Sequence, residues 1–186
     1  MSIRGFAADG EKRYRRKWIK RILTGLLALA WMFLIGSFSA QTGGESGNLS
    51  SQVADTLISV REWITGQEYS EAEREIWIQQ MQFPVRKLAH MSEYALLVLL
   101  LVLHLGTYTR LTADRKQFYI RLALSFGIAV LYAATDEIHQ LFVPGRSGQF
   151  TDVCFDGAGA ALGVLFCLLC FLIRKRKIKK RRMNTG

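Results

Sequence analysis

Apolar residues are gathered into four blocks along the chain, and most charged residues lie between the blocks. The blocks cover about residues 18–38, 88–105, 119–135 and 153–173. A helix needs about 20 mostly apolar residues to cross the hydrocarbon core of a bilayer. The first and last blocks meet that requirement, and the middle two meet it when their polar ends are included. The pattern predicts an all-α membrane protein with four transmembrane helices, forming one domain over residues 1–186.

Basic residues flank these blocks in three places and predict the orientation of the chain. They are concentrated in residues 1–17 and 174–186, and a smaller group separates the second and third blocks: Arg110, Arg115, Lys116 and Arg121. Basic flanks tend to remain in the cytoplasm. We therefore expect both termini to be cytoplasmic tails, and the stretches 39–83 and 136–152 to lie outside.

The net charge of +10 has a simple interpretation in this topology. Basic residues beside membrane helices attract anionic lipid headgroups. We therefore expect membrane lipids, including anionic ones, to be partners, and we do not expect nucleic acid. The first block could also be a cleavable signal peptide, but its apolar run is longer than the roughly 7–15 residues of a signal core. This length favours a retained anchor.

The first outer segment predicts one or two amphipathic surface helices. Residues 41–47 are rich in glycine and predict a loop. Apolar residues then recur at helical spacing: Leu49, Val53, Leu57, Val60 and Ile64. A second helix is predicted from Ser70, where Glu73 completes a capping box, and Pro84 suits the first turn of the next helix. We expect both helices to lie on the outer membrane surface; a mobile acidic loop is the alternative.

Polar residues at the outer ends of three blocks predict a shared ligand-binding site. Helical spacing places them on common faces. The second block contributes Arg86, Lys87, His90, Glu93 and Tyr94. The third block and its following turn contribute Asp136, Glu137, His139, Gln140 and Arg146, and the fourth contributes Asp152 and Asp156. Ionisable groups are costly to desolvate and usually mark a site. The alternative is a salt-bridge network that clamps the helices together.

Arg146 is the most distinctive member of this set. It follows Pro144 and Gly145 in a predicted tight turn. Its five fixed donors suit a carboxylate or a phosphate. With Asp136, Glu137 and Asp152 nearby, we expect Arg146 to pair with one of them when no ligand is bound.

The same residues allow two kinds of chemistry. Paired acids with shifted pKa values suit acid–base catalysis, which makes His90, Glu93, Asp136 and Glu137 the catalytic candidates. Zinc would accept a ligand set of His90, Glu93, Asp136 and His139. The spacing matches no established zinc signature, so no metal and no cofactor is expected. Four short blocks without a broken helix argue against a transporter.

Three ordered motifs resemble those of the VanZ-like membrane proteins. They are Arg86-Lys-x-x-His-x-x-Glu-Tyr94, Asp136-Glu-x-His-Gln-x-Phe-x-Pro-Gly-Arg146 and Asp152-x-x-x-Asp-x-x-Gly159. The resemblance covers about residues 18–173. It implies a multi-pass protein of the bacterial cell membrane. The founding member of that family is associated with resistance to the glycopeptide antibiotic teicoplanin, but the resemblance implies no particular reaction.

Two functions are therefore open. The first is a cell-envelope protein with an outward-facing polar site in the outer leaflet. Such a protein would alter access to, or binding of, a lipid-linked cell-wall precursor or the glycopeptide itself. The second is a membrane-embedded enzyme, acid–base or metal-assisted, that acts on a lipid or cell-wall intermediate.

Overall fold

The computed structural model describes residues 3–108 and 114–183, and Arg110 of the predicted basic group lies outside them. The described residues form five α-helices and no strand, which confirms the predicted all-α class. The helices are α1 (Ile3–Ser39), α2 (Gly43–Thr65), α3 (Glu71–Leu105), α4 (Arg115–Gln140) and α5 (Phe150–Met183).

Four of these helices are long and apolar enough to cross a membrane. The segments concerned are Glu11–Ser39, Glu71–Leu105, Arg115–Gln140 and Phe150–Lys177. Each extends beyond its predicted apolar block, because the flanking Lys, Arg, Glu and Gln residues are themselves good helix formers. Large apolar side chains such as Phe33 and Leu131 stand 75% and 70% exposed on the outside of the bundle, as expected for a surface that lipid covers.

Capping boxes start both α2 and α3. The Thr42 hydroxyl accepts a hydrogen bond from the Glu45 amide at 3.3 Å, and the Glu45 carboxylate accepts one from the Thr42 amide at 2.8 Å. The hydrogen bonds from the Thr42 backbone and side chain lower the pKa of Glu45 below its ordinary value. The predicted loop over 41–47 is therefore wrong from Gly43 onward. The predicted capping box of Ser70 and Glu73 is confirmed at the start of α3.

The second predicted surface helix is not a separate element, because α3 is one continuous helix from Glu71 to Leu105. Pro84 lies inside it, where a proline removes one backbone hydrogen bond. The helix is supported on this stretch by α2, which packs alongside. The Gln82 amide donates to the Ser51 hydroxyl at 2.7 Å.

An arginine clamp joins the C-terminal half of α2 to the start of α3. Arg74 donates to Asp55 at 2.7 Å, to Glu62 at 2.8 Å and to the Ser59 hydroxyl at 2.7 Å. The clamp leaves much of the apolar stripe of α2 exposed, including Trp63. That this stripe lies against a membrane surface stays a prediction.

Helix α3 is the centre of the bundle and contacts each of the other four helices. Its Tyr94, Leu97 and Val98 are fully buried. Helix α5 approaches it most closely at Gly159 and Gly163, where a side chain would overlap the α3 backbone. These two glycines thus form a helix–helix contact, which brings Asp156, one turn before Gly159, beside α3.

Candidate functional site

Three helices and one turn bring most of the predicted site residues together at one end of the bundle. We call the following group the polar cluster: Arg86, Lys87, His90, Glu93 and Tyr94 of α3, Asp136, Glu137 and Gln140 of α4, Arg146 of the turn, and Asp152 and Asp156 of α5. The twelfth predicted residue, His139, is exposed on α4 and makes no hydrogen bond or ion pair with them in the described structure.

The strongest ion pair of the cluster joins α3 to α5. The Lys87 ammonium group donates to a carboxylate oxygen of Asp152. Only 7% of Lys87 is exposed, and its nitrogen lies 5.3 Å and 5.4 Å from the ring centres of Phe83 and Phe155. Lysine at the end of a membrane helix commonly extends to the headgroups. Here it is held inside the bundle, so Lys87 has a structural partner.

His90 has a looser environment. Its Nδ1 lies 3.7 Å from a Glu93 oxygen and 3.9 Å from an Asp156 oxygen, which is too far for a hydrogen bond. Within the described part of the chain, both Asp156 oxygens and one Glu93 oxygen are buried without a hydrogen-bond partner. Buried acceptors of this kind are costly to leave unpaired. Of the two residues, only Glu93 lines a cavity, so its free oxygen is a position where a bound group with donors would be stabilised.

Arg146 does not make the predicted contact. Among the described residues, no carboxylate lies within ion-pair distance of it, so the expected pairing with Asp136, Glu137 or Asp152 is wrong. Arg146 instead donates to the backbone carbonyl of Gln41 at 2.9 Å and to that of Phe38 at 3.1 Å.

The physical reason lies in the end of α1. The last carbonyl groups of a helix have no intrahelical donor and carry the negative end of the helix dipole. The turn is held next to them by a hydrogen bond from the Gly43 amide to the Pro144 carbonyl at 3.2 Å. Gly145 adopts a positive φ of 73°, which favours glycine at this position. Arg146 therefore caps α1.

Arg146 lies near a second arginine, Arg86, as well as near carboxylates. Burial lowers the pKa of Arg146 from its ordinary value, and the positive charge of Arg86 lowers it further, while nearby carboxylates act in the opposite direction. The guanidinium keeps its proton in any case. Two arginines thus face the same region, and a bound anion would relieve the repulsion between them.

The two acids of α4, Asp136 and Glu137, contact the turn and the interior of the bundle. The Glu137 carboxylate accepts a hydrogen bond from the backbone amide of Gln149 at 2.9 Å and so holds the start of α5. The Gln140 amide lies 3.5 Å from Asp136, at the limit for a hydrogen bond. Tyr94 is fully buried, with its ring 6.3 Å from that of Tyr132.

Two cavities open beside the cluster. The polar cavity, about 230 Å³, is lined mainly by charged and amide side chains, among them Lys87, Gln140, Gln149 and Asp152. The apolar cavity, about 120 Å³, lies between α2 and α3 and is lined in part by Leu49, Val53, Val85, Ala89 and Glu93. Arg86, His90 and Arg146 line both cavities. Tyr94, Asp136, Glu137 and Asp156 line neither and lie behind the walls.

Comparison with known proteins agrees with this arrangement of motifs. The VanZ/LLP1 family model matches residues 24–172, which include the polar cluster and every residue named above in the cavity walls. The chain belongs to the VanZ/LLP1 family. With its four long apolar helices, it is a multi-pass membrane protein. No curated protein and no solved structure matches the chain at a significant level.

The zinc ligand set considered for this VanZ/LLP1 protein is not assembled. Among the described residues, no three His, Cys, Asp or Glu side chains are close enough to hold one metal ion. His139 is exposed, whereas Asp136 is buried.

Sequence reasoning missed the contribution of α1 and α2. Phe38 and Gln41 offer backbone carbonyls to Arg146, and Ser46 and Ser50 of α2 line the apolar cavity. Backbone groups leave no trace in a residue pattern. The Thr42 and Glu45 capping box was the available signal, since it predicts that α2 starts close to the end of α1.

The Lys87–Asp152 pair gives a direct test of which contacts hold the VanZ/LLP1 fold. Lys87→Met leaves the Asp152 carboxylate without its partner and is expected to lower the free energy of unfolding by up to about 3 kcal/mol, because Asp152 keeps some exposure. Adding Asp152→Asn should restore part of the loss. Denaturant unfolding in detergent measures both.

Arg86→Met is the matched control, since Arg86 forms no ion pair among the described residues. It should unfold close to wild type. Equal losses of stability in Lys87→Met and Arg86→Met would show that the Lys87–Asp152 pair is not a structural contact. So would a lack of recovery when Asp152→Asn is added to Lys87→Met.

Proposed function

We propose that this VanZ/LLP1 protein acts at the bacterial cell envelope by binding the anionic headgroup of a lipid-linked cell-wall precursor at the polar cluster. Binding would alter how glycopeptides such as teicoplanin reach that precursor. One observation carries the proposal: Arg86, His90 and Arg146 form a wall shared by a polar and an apolar cavity.

The polar cavity suits a phosphate or a carboxylate. Lys87 is occupied by Asp152, but Arg86 has no ion-pair partner among the described residues and Arg146 binds only carbonyl and amide oxygens. Guanidinium groups present forked donors that match phosphate oxygens. The two arginines are therefore the groups that we assign to the headgroup.

The apolar cavity suits the start of a lipid chain. It runs beside the arginines between α2 and α3, and its walls include Leu49, Val53 and Val85. An amphiphile would place its charged group in one cavity and its first apolar atoms in the other. This arrangement favours a lipid-linked ligand over a soluble anion.

Cavity size favours the precursor headgroup over the drug itself. Pockets for drug-sized molecules occupy about 300–1,000 Å³. The polar cavity has about 230 Å³, which accommodates phosphate groups but not a glycopeptide. We therefore propose that resistance arises from contact with the precursor.

The polar cluster must face outside the cell for this role, and the basic flanks support that orientation. Single cysteines at Gly44 and Ser147 should react with an impermeant thiol reagent in intact cells, whereas one at Lys116 should react only after permeabilisation. The background needs Cys154, Cys167 and Cys170 replaced, because Cys154 and Cys170 are exposed. Labelling of position 116 alone in intact cells would reverse the topology.

Substitutions of binding residues and of structural residues should differ in their effects on teicoplanin resistance and on the amount of inserted protein. His90→Ala and Glu93→Ala are expected to abolish teicoplanin resistance while the amount of inserted protein stays near that of wild type, because neither side chain makes a hydrogen bond in the described structure. Glu137→Ala is the matched control: it removes the contact to the Gln149 amide and should reduce protein amount. Minimal inhibitory concentration and immunoblot of membranes give the two readouts.

If His90→Ala and Glu93→Ala lose protein as Glu137→Ala does, the two residues are part of a clamp and the binding proposal fails. Full resistance in both variants would also contradict it.

One observation favours a second candidate function. The Nδ1 of His90 lies near the carboxylates of both Glu93 and Asp156, and His90 lines both cavities, an arrangement that suits proton transfer to a bound lipid phosphate. Turnover of a purified lipid would support an enzyme. Saturable binding without turnover supports the first function.

A further inference from the structure

A separate cavity of about 570 Å³ lies at the opposite end of the bundle, among α1, α3 and α4. Its walls include Lys17, Lys20 and Thr24 of α1, Leu103 and Gly106 of α3, and Arg121 of α4. Its volume is within the range of ligand pockets. We call it the basic cavity, because three of its lining residues are cations and none of those that the structure describes is an acid.

Arg121 is placed in this wall by the end of α3. A side chain at Gly106 would overlap the tip of the Arg121 guanidinium, so the glycine allows the arginine to lie against the helix end. The ring of Phe118 lies 5.0 Å from the guanidinium carbon and supports it from one side. Its Nε is buried without a hydrogen-bond partner in the described part of the protein. Arg121 is thus held in the cavity wall, while its Nε–H lacks an acceptor among the described residues.

The neighbouring Arg21 does not line the cavity. It lies 4.0 Å above the ring of Tyr108 and 5.3 Å from that of Trp18, and its Nε is also buried without a hydrogen-bond partner among the described residues. Arg121, Lys17 and Lys20 form no ion pair with a described carboxylate. Their positive charge faces the cavity without compensation.

Part of the remaining wall is apolar and reaches the outer surface of the bundle. Val102 and Leu103 line the cavity, and Leu103 is 61% exposed on the outside of the bundle. A ligand that satisfies both parts of the wall carries a negative group near Arg121 and apolar chains beside Leu103. Phospholipids have this composition.

We propose that the basic cavity is a second binding site, specific for a phosphate group whose charge is not offset by a headgroup cation, and that an anionic phospholipid of the surrounding leaflet supplies it. The site differs from the polar cluster in position and in every residue. The proposal therefore does not depend on the function proposed for that cluster.

The test uses the full-length protein in nanodiscs that contain equal amounts of phosphatidylglycerol and phosphatidylcholine. Native mass spectrometry after release counts the phosphatidylglycerol molecules that the protein retains. Arg121→Gln is expected to weaken retention about fivefold, the factor associated with one cation near an anionic lipid surface. The pair of exposed changes Lys17→Gln and Lys20→Gln should weaken it as well and cannot disturb the core.

Lys116→Gln is the matched control, because Lys116 lies exposed on the same helix as Arg121 but outside the cavity wall. It should retain phosphatidylglycerol like wild type. Equal losses in Lys116→Gln and the cavity variants would reduce the effect to general surface attraction and overturn the proposal. Unchanged retention in the lysine pair would also overturn it, whether or not Arg121→Gln folds.

A second arm separates the two sources of phosphate. Nanodiscs of phosphatidylcholine alone are titrated with inorganic phosphate, and thermal stability is followed. No stabilisation in this arm, together with selective retention in the first, supports the lipid. If inorganic phosphate raises the thermal stability of wild type but not of Arg121→Gln, and phosphatidylglycerol is not selectively retained, the lipid is not the source of the phosphate.

Discussion

The contact between the Arg146 guanidinium and the last carbonyl groups of α1 determines the shape of the proposed site. It fastens the turn between α4 and α5 to the junction of α1 and α2, more than 100 residues earlier in the chain. Arg146 thereby forms part of the wall of both cavities. Together with the hydrogen bond from the Gly43 amide to the Pro144 carbonyl, this contact holds the turn and the start of α2 beside the polar ends of α3, α4 and α5.

A second constraint is that polar groups in a membrane protein need partners. The cluster divides by how completely that need is met. The Lys87–Asp152 pair is satisfied and joins α3 to α5. Glu137 holds the start of α5 through one oxygen, while its other oxygen is buried without a hydrogen-bond partner among the described residues. His90, Glu93 and Arg86 are incompletely satisfied and lie on cavity walls. The division suggests that one network contains both a clamp and a binding surface, rather than one or the other.

The sequence was sufficient for the parts of the structure that follow from local rules. Apolar block length predicts the four long helices, and helical spacing predicts that Lys87, His90 and Tyr94 share a face of α3. The Ser70 and Glu73 pair predicts the start of α3. It was insufficient where tertiary packing prevails over a local signal, as at Pro84, which does not begin a helix because α2 supports the one that contains it.

Arg146 shows a different limit of sequence reasoning. Charge complementarity favoured a carboxylate partner, and three were near in sequence. Backbone carbonyls at the end of α1 are stronger competitors in this position, but they belong to no residue type and depend on how α1 and the turn pack. His139 shows the same limit, because the one-turn rule places it near Asp136 while its direction on α4 exposes it.

If the polar cluster binds an anionic headgroup with its attached apolar chain, the purified protein in detergent should distinguish geranyl phosphate from geraniol. We expect saturable binding of the phosphate alone, weakened about tenfold or more in Arg86→Gln, since a charge-assisted hydrogen bond contributes roughly 1.5–3 kcal/mol. Equal binding of the two compounds, or no difference between Arg86→Gln and wild type, would contradict it.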